Sequence, residues 1–176
     1  MARRDLPGQR TPLAIVSDLA TDTRAALRRM AKSVCVISCA HNGKRYAMAA
    51  TATDVVSLDP PSMVVSVNRN ASLHAALSAG ADFCVNVLGR GQEDVARACG
   101  GGLTGEERFT VGAWAPSVQG LPILNGAQAN ILCRNEVSTS FGTHGLFVGV
   151  VIEARVAGDI DPLVYLDGRY TGALAG

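Results

Sequence analysis

Hydrophobic residues recur at helical spacing in three short stretches of the chain. Residues 18–33 carry acidic side chains in the first turn, apolar side chains on one face and arginines towards the end, a pattern typical of a helix. Residues 72–79 predict a second helix with Ser72 as its cap, and residues 91–99 predict a third that ends at three glycines. The predicted helices are therefore few and short.

Most of the remaining chain has the hydrophobic pattern of β-strands. Two strands, residues 34–40 and 45–53, flank Asn42-Gly43, the residue pair that a two-residue type I′ hairpin prefers. Further strands are predicted at residues 62–68, 83–88, 130–142, 144–158 and 162–170. Because strands and helices do not alternate regularly, the pattern favours a mainly β fold, an antiparallel barrel with helical decorations, over a doubly wound parallel sheet.

Length and composition narrow the function classes. The 176 residues suffice for one core, and we predict a flexible arm over residues 1–16 followed by a single domain over residues 17–176. The formal net charge of +1 lacks the positive charge of most nucleic-acid-binding domains. Charged residues make up 18% of the chain, against a usual value of about 25%, so part of the surface is expected to be covered in an oligomer. No stretch approaches a membrane span or a secretory signal, which predicts a cytoplasmic protein without a membrane partner.

Several chemical motifs carry little weight. The five cysteines lie scattered in apolar runs, so they predict buried free thiols rather than disulfides, and no metal site is predicted. Gly100, Gly102 and Gly105 match the GxGxxG dinucleotide fingerprint, but they follow a predicted helix instead of a strand, and we interpret them as a helix-terminating linker. The three histidines lack the accompanying motifs of hydrolases.

Small polar residues end two of the predicted strands, at residues 49–53 and 68–72. Small side chains let a flat ligand approach the backbone, whose N–H and C=O groups can then bind a polar ring edge. Arg69 and Ser72, at a helix start, are candidates for holding a phosphate. The alternative is a closely packed strand followed by an ordinary helix cap.

These residues belong to a longer resemblance. The stretch AATATDVVSLDPPSMVVSVNRNASLH begins at Ala49, and it is followed in order by FCVNVLGRGQ, ERF, GLPIL and GTHGLFVGVV. Their order and spacing, from about Leu27 to Tyr170, closely resemble the flavin reductase-like family, the small reductase components of two-component flavin-dependent monooxygenases. The resemblance covers over three quarters of the chain.

The resemblance implies a fold and an activity. It implies a split β-barrel of the FMN-binding type, with an antiparallel Greek-key core and a few short helices, assembled as a homodimer. It also implies an NAD(P)H:flavin oxidoreductase that binds FMN or FAD, passes a hydride from NADH or NADPH to flavin N5, and supplies reduced flavin to a partner oxygenase by diffusion.

The same resemblance implies roles for individual residues. Four residues would line the isoalloxazine ring: Ala50, Thr51, Ala52 and Thr53. Four others would serve the ribityl chain and phosphate: Asn68, Arg69, Asn70 and Ser72. His144 would lie beside the nicotinamide as a positioning or charge-stabilising group, and Tyr170 would border the same ring.

One position departs from the family pattern. Thr143 stands where the family usually has an aspartate before the histidine, so the imidazole of His144 has a neutral hydrogen-bonding neighbour instead of a carboxylate. Two alternatives remain, and this departure keeps the first of them open. One is a flavin-binding electron-transfer module with little nicotinamide-dependent turnover, and the other is a reductase of another acceptor, such as a metal chelate or a corrin.

Overall fold

A computed structural model describes residues 18–173, and the predicted arm over residues 1–16 lies outside that range. Residues 18–173 contain three α-helices: α1 Leu19–Leu27, α2 Ser72–Ser78 and α3 Glu93–Arg97. Six strands come first, β1 Lys32–Ser33, β2 Cys35–His41, β3 Lys44–Ala50, β4 Thr53–Leu58, β5 Pro61–Asn68 and β6 Phe83–Val87. Six more follow, β7 Trp114–Pro116, β8 Pro122–Leu124, β9 Ala129–Phe141, β10 His144–Val156, β11 Leu163–Leu166 and β12 Arg169–Gly172. Short 3₁₀ helices occupy Arg90–Gln92 and Gly105–Thr110, and a π-helical turn occupies Ala98–Gly102.

Seven strands form one curled antiparallel sheet in the order β3-β2-β6-β9-β10-β5-β4. The two edge strands, β3 and β4, are consecutive in the chain and are joined only by Thr51 and Ala52. In a flat sheet these edges would lie about 29 Å apart, whereas the three peptide steps between the strands span at most about 11 Å. The sheet must therefore curl until its edges meet at this link. The mainly β, antiparallel fold predicted from the sequence is confirmed.

The core lies on both faces of the strands at the centre of the curl. Val36 and Ile37, neighbours on β2, are both fully buried because each faces a different apolar cluster. One cluster joins β5, β6 and β10 to Leu73 and Leu77 of α2. The other joins β2 and β3 to α3 and to Leu163 of β11. Strands β2 and β3 are thus held by packing on both faces, whereas β5 and β10, which carry Asn68 and His144, pack against the core on one face only.

All five cysteines are free and buried, as the sequence predicts. Burial raises the pKa of Cys39, Cys84 and Cys133 to about 12, because the charged thiolate loses its hydration. These thiols are therefore packing residues with low reactivity.

Three local predictions were wrong. The strand predicted over residues 45–53 ends at Ala50, and β4 was missed because its side chains are mostly exposed and it lacks a clean alternation. Ser72 is the first helical residue of α2 and makes no capping hydrogen bond, since Ala71 holds the cap position. Residues 162–170 form no single strand, because the chain turns at Asp167 and Gly168, which have φ of +49° and +78°.

Other predictions are confirmed. Asn42 and Gly43 both have positive φ, 51° and 73°, as a type I′ hairpin requires. Gly100 and Gly102 lie in the π-helical turn that follows α3, and Gly105 begins the next 3₁₀ helix, so the glycines do not follow a strand. Within residues 18–173, no helix has both the length and the apolar character that crossing a bilayer requires.

Candidate functional site

The end of β5 places three of the predicted site segments side by side. Asn68 of β5 pairs directly with His144 of β10, and on the other side the N–H of Ser66 donates to the carbonyl of Ala52 at 2.9 Å. Because Val65 and Val67 point into the core, Ser66 and Asn68 face outward, as does His144 opposite Asn68. We call this line of Ala52, Ser66, Asn68 and His144 the outer row.

The link between β3 and β4 presents its side chains to different surroundings. Ala50 packs against the first core cluster, and Thr53 points inward, where its hydroxyl donates to Cys35 Sγ at 3.6 Å. Burial raises the pKa of the Cys35 thiol, and the Thr53 hydrogen bond opposes part of that rise. Thr51 lines a separate surface groove beside Tyr165. Of these residues, Ala52 alone joins the outer row through its backbone.

The turn from β5 into α2 is shaped by Asn68. Its Oδ1 accepts from the N–H of Asn70 at 2.9 Å, and its carbonyl accepts from the N–H of Ala71 at 2.9 Å. Asn70 and Ser72 then line a cavity of about 600 Å³, which also contains Arg45 and Arg108. We call it the arginine cavity.

Arg45 and Arg108 were not among the predicted site residues. The Nε of Arg108 donates to the carbonyl of Leu103 at 2.9 Å and its Nη1 donates to that of Ala47 at 2.6 Å, so the guanidinium is fixed at the cavity wall. Arg45 lies 4.1 Å from the ring centroid of Phe109 and forms a 2.5 Å ion pair with Glu106. For Arg108 the sequence signal was the ERF motif, which contributed to the resemblance without being assigned a role.

The Arg45–Glu106 pair also sets local electrostatics. The hydrogen bond and charge of Arg45 lower the pKa of the Glu106 carboxyl below its usual value. Both side chains remain substantially exposed, so the pair contributes little to stability. It does keep the 3₁₀ helix Gly105–Thr110 next to the β2–β3 hairpin at the rim of the arginine cavity.

The structure separates Arg69 from the other predicted phosphate ligands. Its side chain lines a different cavity, of about 340 Å³, together with His74 and the hydroxyls of Ser138 and Ser140. Only its backbone joins the predicted site, because its N–H donates to the carbonyl of Thr143 at 3.0 Å.

His144 and Tyr170 lie on different sheets. The Nδ1 of His144 is 2.9 Å from the hydroxyl of Thr143, which holds the imidazole at the end of the outer row. Tyr170 belongs to the sheet β1-β11-β12, where its ring lies 5.3 Å from that of Tyr165 and 5.1 Å from the guanidinium of Arg97. Burial raises the pKa of the Tyr170 hydroxyl. The outer row thus contains His144, while Tyr170 stands near the groove that Thr51 and Tyr165 line.

Comparison with known proteins agrees across sequence and structure. The flavin reductase like domain family matches residues 27–174. The chain is 37% identical over 159 residues to the FMN reductase (NADH) RutF of Pseudomonas syringae pv. syringae (strain B728a), covering 90% of this chain and 88% of that protein. It is 38% identical over 152 residues to the reductase component of the FADH(2)-dependent resorcinol hydroxylase of Rhizobium sp. (strain MTP-10005), covering 85% of each.

Solved structures share the fold. The NADH:FAD oxidoreductase SgcE6 of Streptomyces globisporus C-1027, in complex with NAD and FAD fragments, superposes with a TM-score of 0.81 at 26% identity. The superposition covers 89% of this chain and 94% of that one. Component B of nitrilotriacetate monooxygenase from Mycobacterium thermoresistibile gives a TM-score of 0.80 at 28% identity, with 89% of both chains covered.

Proposed function

The chain belongs to the flavin reductase like domain family, and from that membership we propose that it is an NAD(P)H-dependent flavin reductase. It binds FMN or FAD and reduces the flavin with NADH or NADPH. Relatives named as an FMN reductase (NADH) and as the reductase component of a hydroxylase support this activity. The reduced flavin then passes to a partner oxygenase, in the manner of a two-component system.

The arginine cavity is the observation that carries the proposal. Its volume of about 600 Å³ lies in the range of small-molecule sites. Two guanidinium groups, the Asn70 amide and the Ser72 hydroxyl together offer the donors that a phosphate and a polyol chain need. Arg108 is already fixed by two backbone carbonyls, so little side-chain entropy is lost on binding. The residues present therefore fit the phosphate end of a flavin mononucleotide.

The outer row suits the ring end of the flavin. The Ala50–Thr53 link supplies small side chains and backbone groups, which let a flat ring lie close to the chain. We assign the backbone of Ala50, Thr51, Ala52 and Thr53 to this ring, since the Ala50 and Thr53 side chains face inward. Asn68, Asn70 and Ser72 are assigned to the ribityl chain and phosphate. A role for Arg69 in phosphate binding stays a prediction, because its side chain lines a neighbouring cavity.

We assign His144 to the nicotinamide side of the site. The flavin and the nicotinamide supply the hydride-transfer chemistry themselves, and the protein has to hold them in contact. The Thr143 hydroxyl fixes the His144 ring from its Nδ1 side, which leaves Nε2 to face a ligand on the outer row. We assign Tyr170 to the border of the nucleotide, because its ring packs against that of Tyr165.

A homodimer is supported by an apolar surface that continues the outer row. On the same face as His144, Val148 lies between Val64 and Val137, and Phe141 pairs with His144. The side chains of Phe141 and Val137 are 84% and 55% exposed, a costly arrangement for a monomer in water. A second copy on this face covers them and encloses the His144 end of the site. The five free thiols favour a reducing compartment, the cytoplasm.

The test is a steady-state assay under air. Purified protein is mixed with FMN or FAD and with NADH or NADPH, and the absorbance at 340 nm is followed. We expect enzyme-dependent nucleotide oxidation with at least one flavin and one nucleotide. Turnover no faster than the background with free flavin, in all four combinations, would exclude the reductase and leave a flavin-binding electron-transfer module.

A further inference from the structure

The arginine cavity contains a carboxylate among its cations. Of the described residues that line it, Lys44, Arg45 and Arg108 are cations and Glu106 alone is an acid. A phosphate monoester carries a charge of about −1.5 to −2 near neutral pH, so a carboxylate on the cavity wall opposes its binding. Glu106 is thus the residue of this cavity whose charge has the wrong sign for a phosphate ligand.

Glu106 uses the hydrogen-bond donors of Arg45 that a phosphate would use. The Nε and Nη2 of Arg45 both donate to Glu106 Oε2, at 3.1 and 2.5 Å, and Nε lies 3.3 Å from Oε1. The planar guanidinium binds carboxylate and phosphate oxygens with the same two-pronged geometry. A phosphate that reaches Arg45 must therefore displace the Glu106 carboxylate.

The two partners of this ion pair are held differently. The guanidinium of Arg45 lies 4.1 Å from the ring centroid of Phe109, and that ring is buried in an edge contact with Trp114 at 5.0 Å. The side chain of Glu106, on the 3₁₀ helix Gly105–Thr110, is 61% exposed. The carboxylate can therefore turn into water while the cation keeps its place on the aromatic ring.

The 3₁₀ helix does not depend on the Glu106 side chain for its own hydrogen bonds. The N–H and the hydroxyl of Thr104 donate to Glu107 Oε2 at 3.4 and 3.3 Å, and the hydroxyl of Thr110 donates to the Glu107 carbonyl at 2.8 Å. An exposed ion pair contributes little to stability. Replacement of Glu106 should therefore leave this segment folded.

We propose that Glu106 is an internal competitor of the flavin phosphate. The carboxylate neutralises Arg45 until a phosphorylated flavin displaces it. Glu106 thereby determines how strongly the site prefers FMN over riboflavin, which has no phosphate, and it shortens the time for which FMN stays bound. The inference rests on the proposed function, because it takes the arginine cavity as the phosphate end of the flavin site.

The first test compares Glu106→Gln with Glu153→Gln by quenching of flavin fluorescence. Glu153 is a matched control, because Arg155 lowers the pKa of its carboxyl as Arg45 lowers that of Glu106, and it does not line the arginine cavity. Glu106→Gln should bind FMN about two- to fivefold more tightly, the range for loss of an exposed ion pair, and riboflavin with unchanged affinity. Glu153→Gln should match wild type with both ligands.

The sign of the change separates competition from a structural role. If Glu106 only kept the cavity in shape, its replacement would weaken the binding of FMN. FMN bound no more tightly by Glu106→Gln than by Glu153→Gln would therefore overturn the proposal. An equal gain in affinity for riboflavin would also overturn it, because riboflavin has no phosphate to compete with the carboxylate.

A second comparison tests whether Glu106 acts through Arg45. Arg45→Ala should weaken FMN binding at least about fivefold, because a charged hydrogen-bond donor is lost. Adding Glu106→Gln to Arg45→Ala should give little further change, because no guanidinium remains for the two anions to share. The same gain in FMN affinity with and without Arg45 would show general charge repulsion instead of competition, and would overturn the proposal.

Steady-state kinetics distinguish failure of this inference from failure of the proposed function. In the assay at 340 nm, Glu106→Gln should lower the KM for FMN about two- to fivefold and leave the KM for the nucleotide unchanged. Normal turnover, with equal FMN affinity in wild type and Glu106→Gln, would exclude the competitor alone. Tighter FMN binding by Glu106→Gln in a protein that reduced no flavin would exclude the reductase and retain the competitor.

Discussion

The arginine cavity and the surface groove between α1 and the β11–β12 hairpin differ in how their cations are held. In the cavity, Arg108 is fixed by two carbonyls, and Arg45 by Glu106 and the Phe109 ring. In the groove, Arg24 is unpaired within the described residues 18–173, and the helix that carries it buries no side chain. A preformed site loses little entropy on binding, whereas a loosely held one must be ordered by its ligand. The arginine cavity is therefore suited to anchoring a ligand, whereas Arg24 would have to be ordered by any ligand that contacts it.

The largest effect is expected in the arginine cavity. Arg108→Ala removes both the cation and the two bonds that fix it, so we expect FMN affinity to fall about ten- to a hundredfold, as measured by quenching of flavin fluorescence. Arg108→Lys keeps the charge without the planar fork, and its affinity should lie between those of wild type and Arg108→Ala.

Arg69→Ala is the matched comparison for the arginine cavity. Because Arg69 lines the separate cavity with His74, we expect its loss to change FMN affinity less than twofold. A weakening by Arg69→Ala as large as that by Arg108→Ala would show that the phosphate lies outside the arginine cavity.

An effect of intermediate size is expected when His144, at the end of the outer row, is replaced. His144→Ala should raise the KM for the nucleotide about fivefold, the loss of one hydrogen bond, and leave FMN affinity near wild type. Thr143→Val keeps the imidazole but removes the hydroxyl that orients it, so a smaller rise in the same KM is expected. Equal changes in FMN affinity and nucleotide KM would mean that the two ligands are not held separately.

The smallest effect is the response to salt. Exposed cations such as Arg24 attract the phosphates of the nucleotide through solvent, and salt screens that attraction, so raising the salt concentration from 0.05 M to 0.5 M should increase the nucleotide KM about two- to threefold. FMN affinity should change less, because Arg108 is partly buried and bonded to the backbone. A stronger salt dependence of FMN affinity than of the nucleotide KM would contradict the conclusion that the cations of the arginine cavity are the more firmly held.

The sequence predicted the strands that carry the site better than the side chains that fill it. The segments around Ala52, Asn68 and His144 lie beside one another as the resemblance implied, because strand pairing places them in register. Hydrophobic periodicity can predict this much, because it indicates which face of a strand is buried.

Long-range contacts explain what the sequence did not predict. Arg108 approaches Asn70 and Ser72 only through the fold of the glycine-containing segment after α3, and no local pattern records that approach. Arg69 and Asn70 are neighbours in sequence but line different cavities, because the chain turns here, where the Asn70 N–H donates to Asn68 Oδ1. The hydrophobic pattern predicts one strand over residues 162–170, although the Asp167-Gly168 pair is typical of a hairpin turn, because the segment after that pair is too short to show a strand pattern of its own.

The pairing of Asn68 with His144 has a consequence for folding. These two residues are far apart along the chain, and they meet only when β10 docks on β5. A partly folded chain can form the local hairpin of β2 and β3, but none of the four outer-row residues belongs to that hairpin. A flavin can therefore bind the complete site only after β10 has paired with β5. Flavin present during synthesis then stabilises the folded chain relative to its folding intermediates.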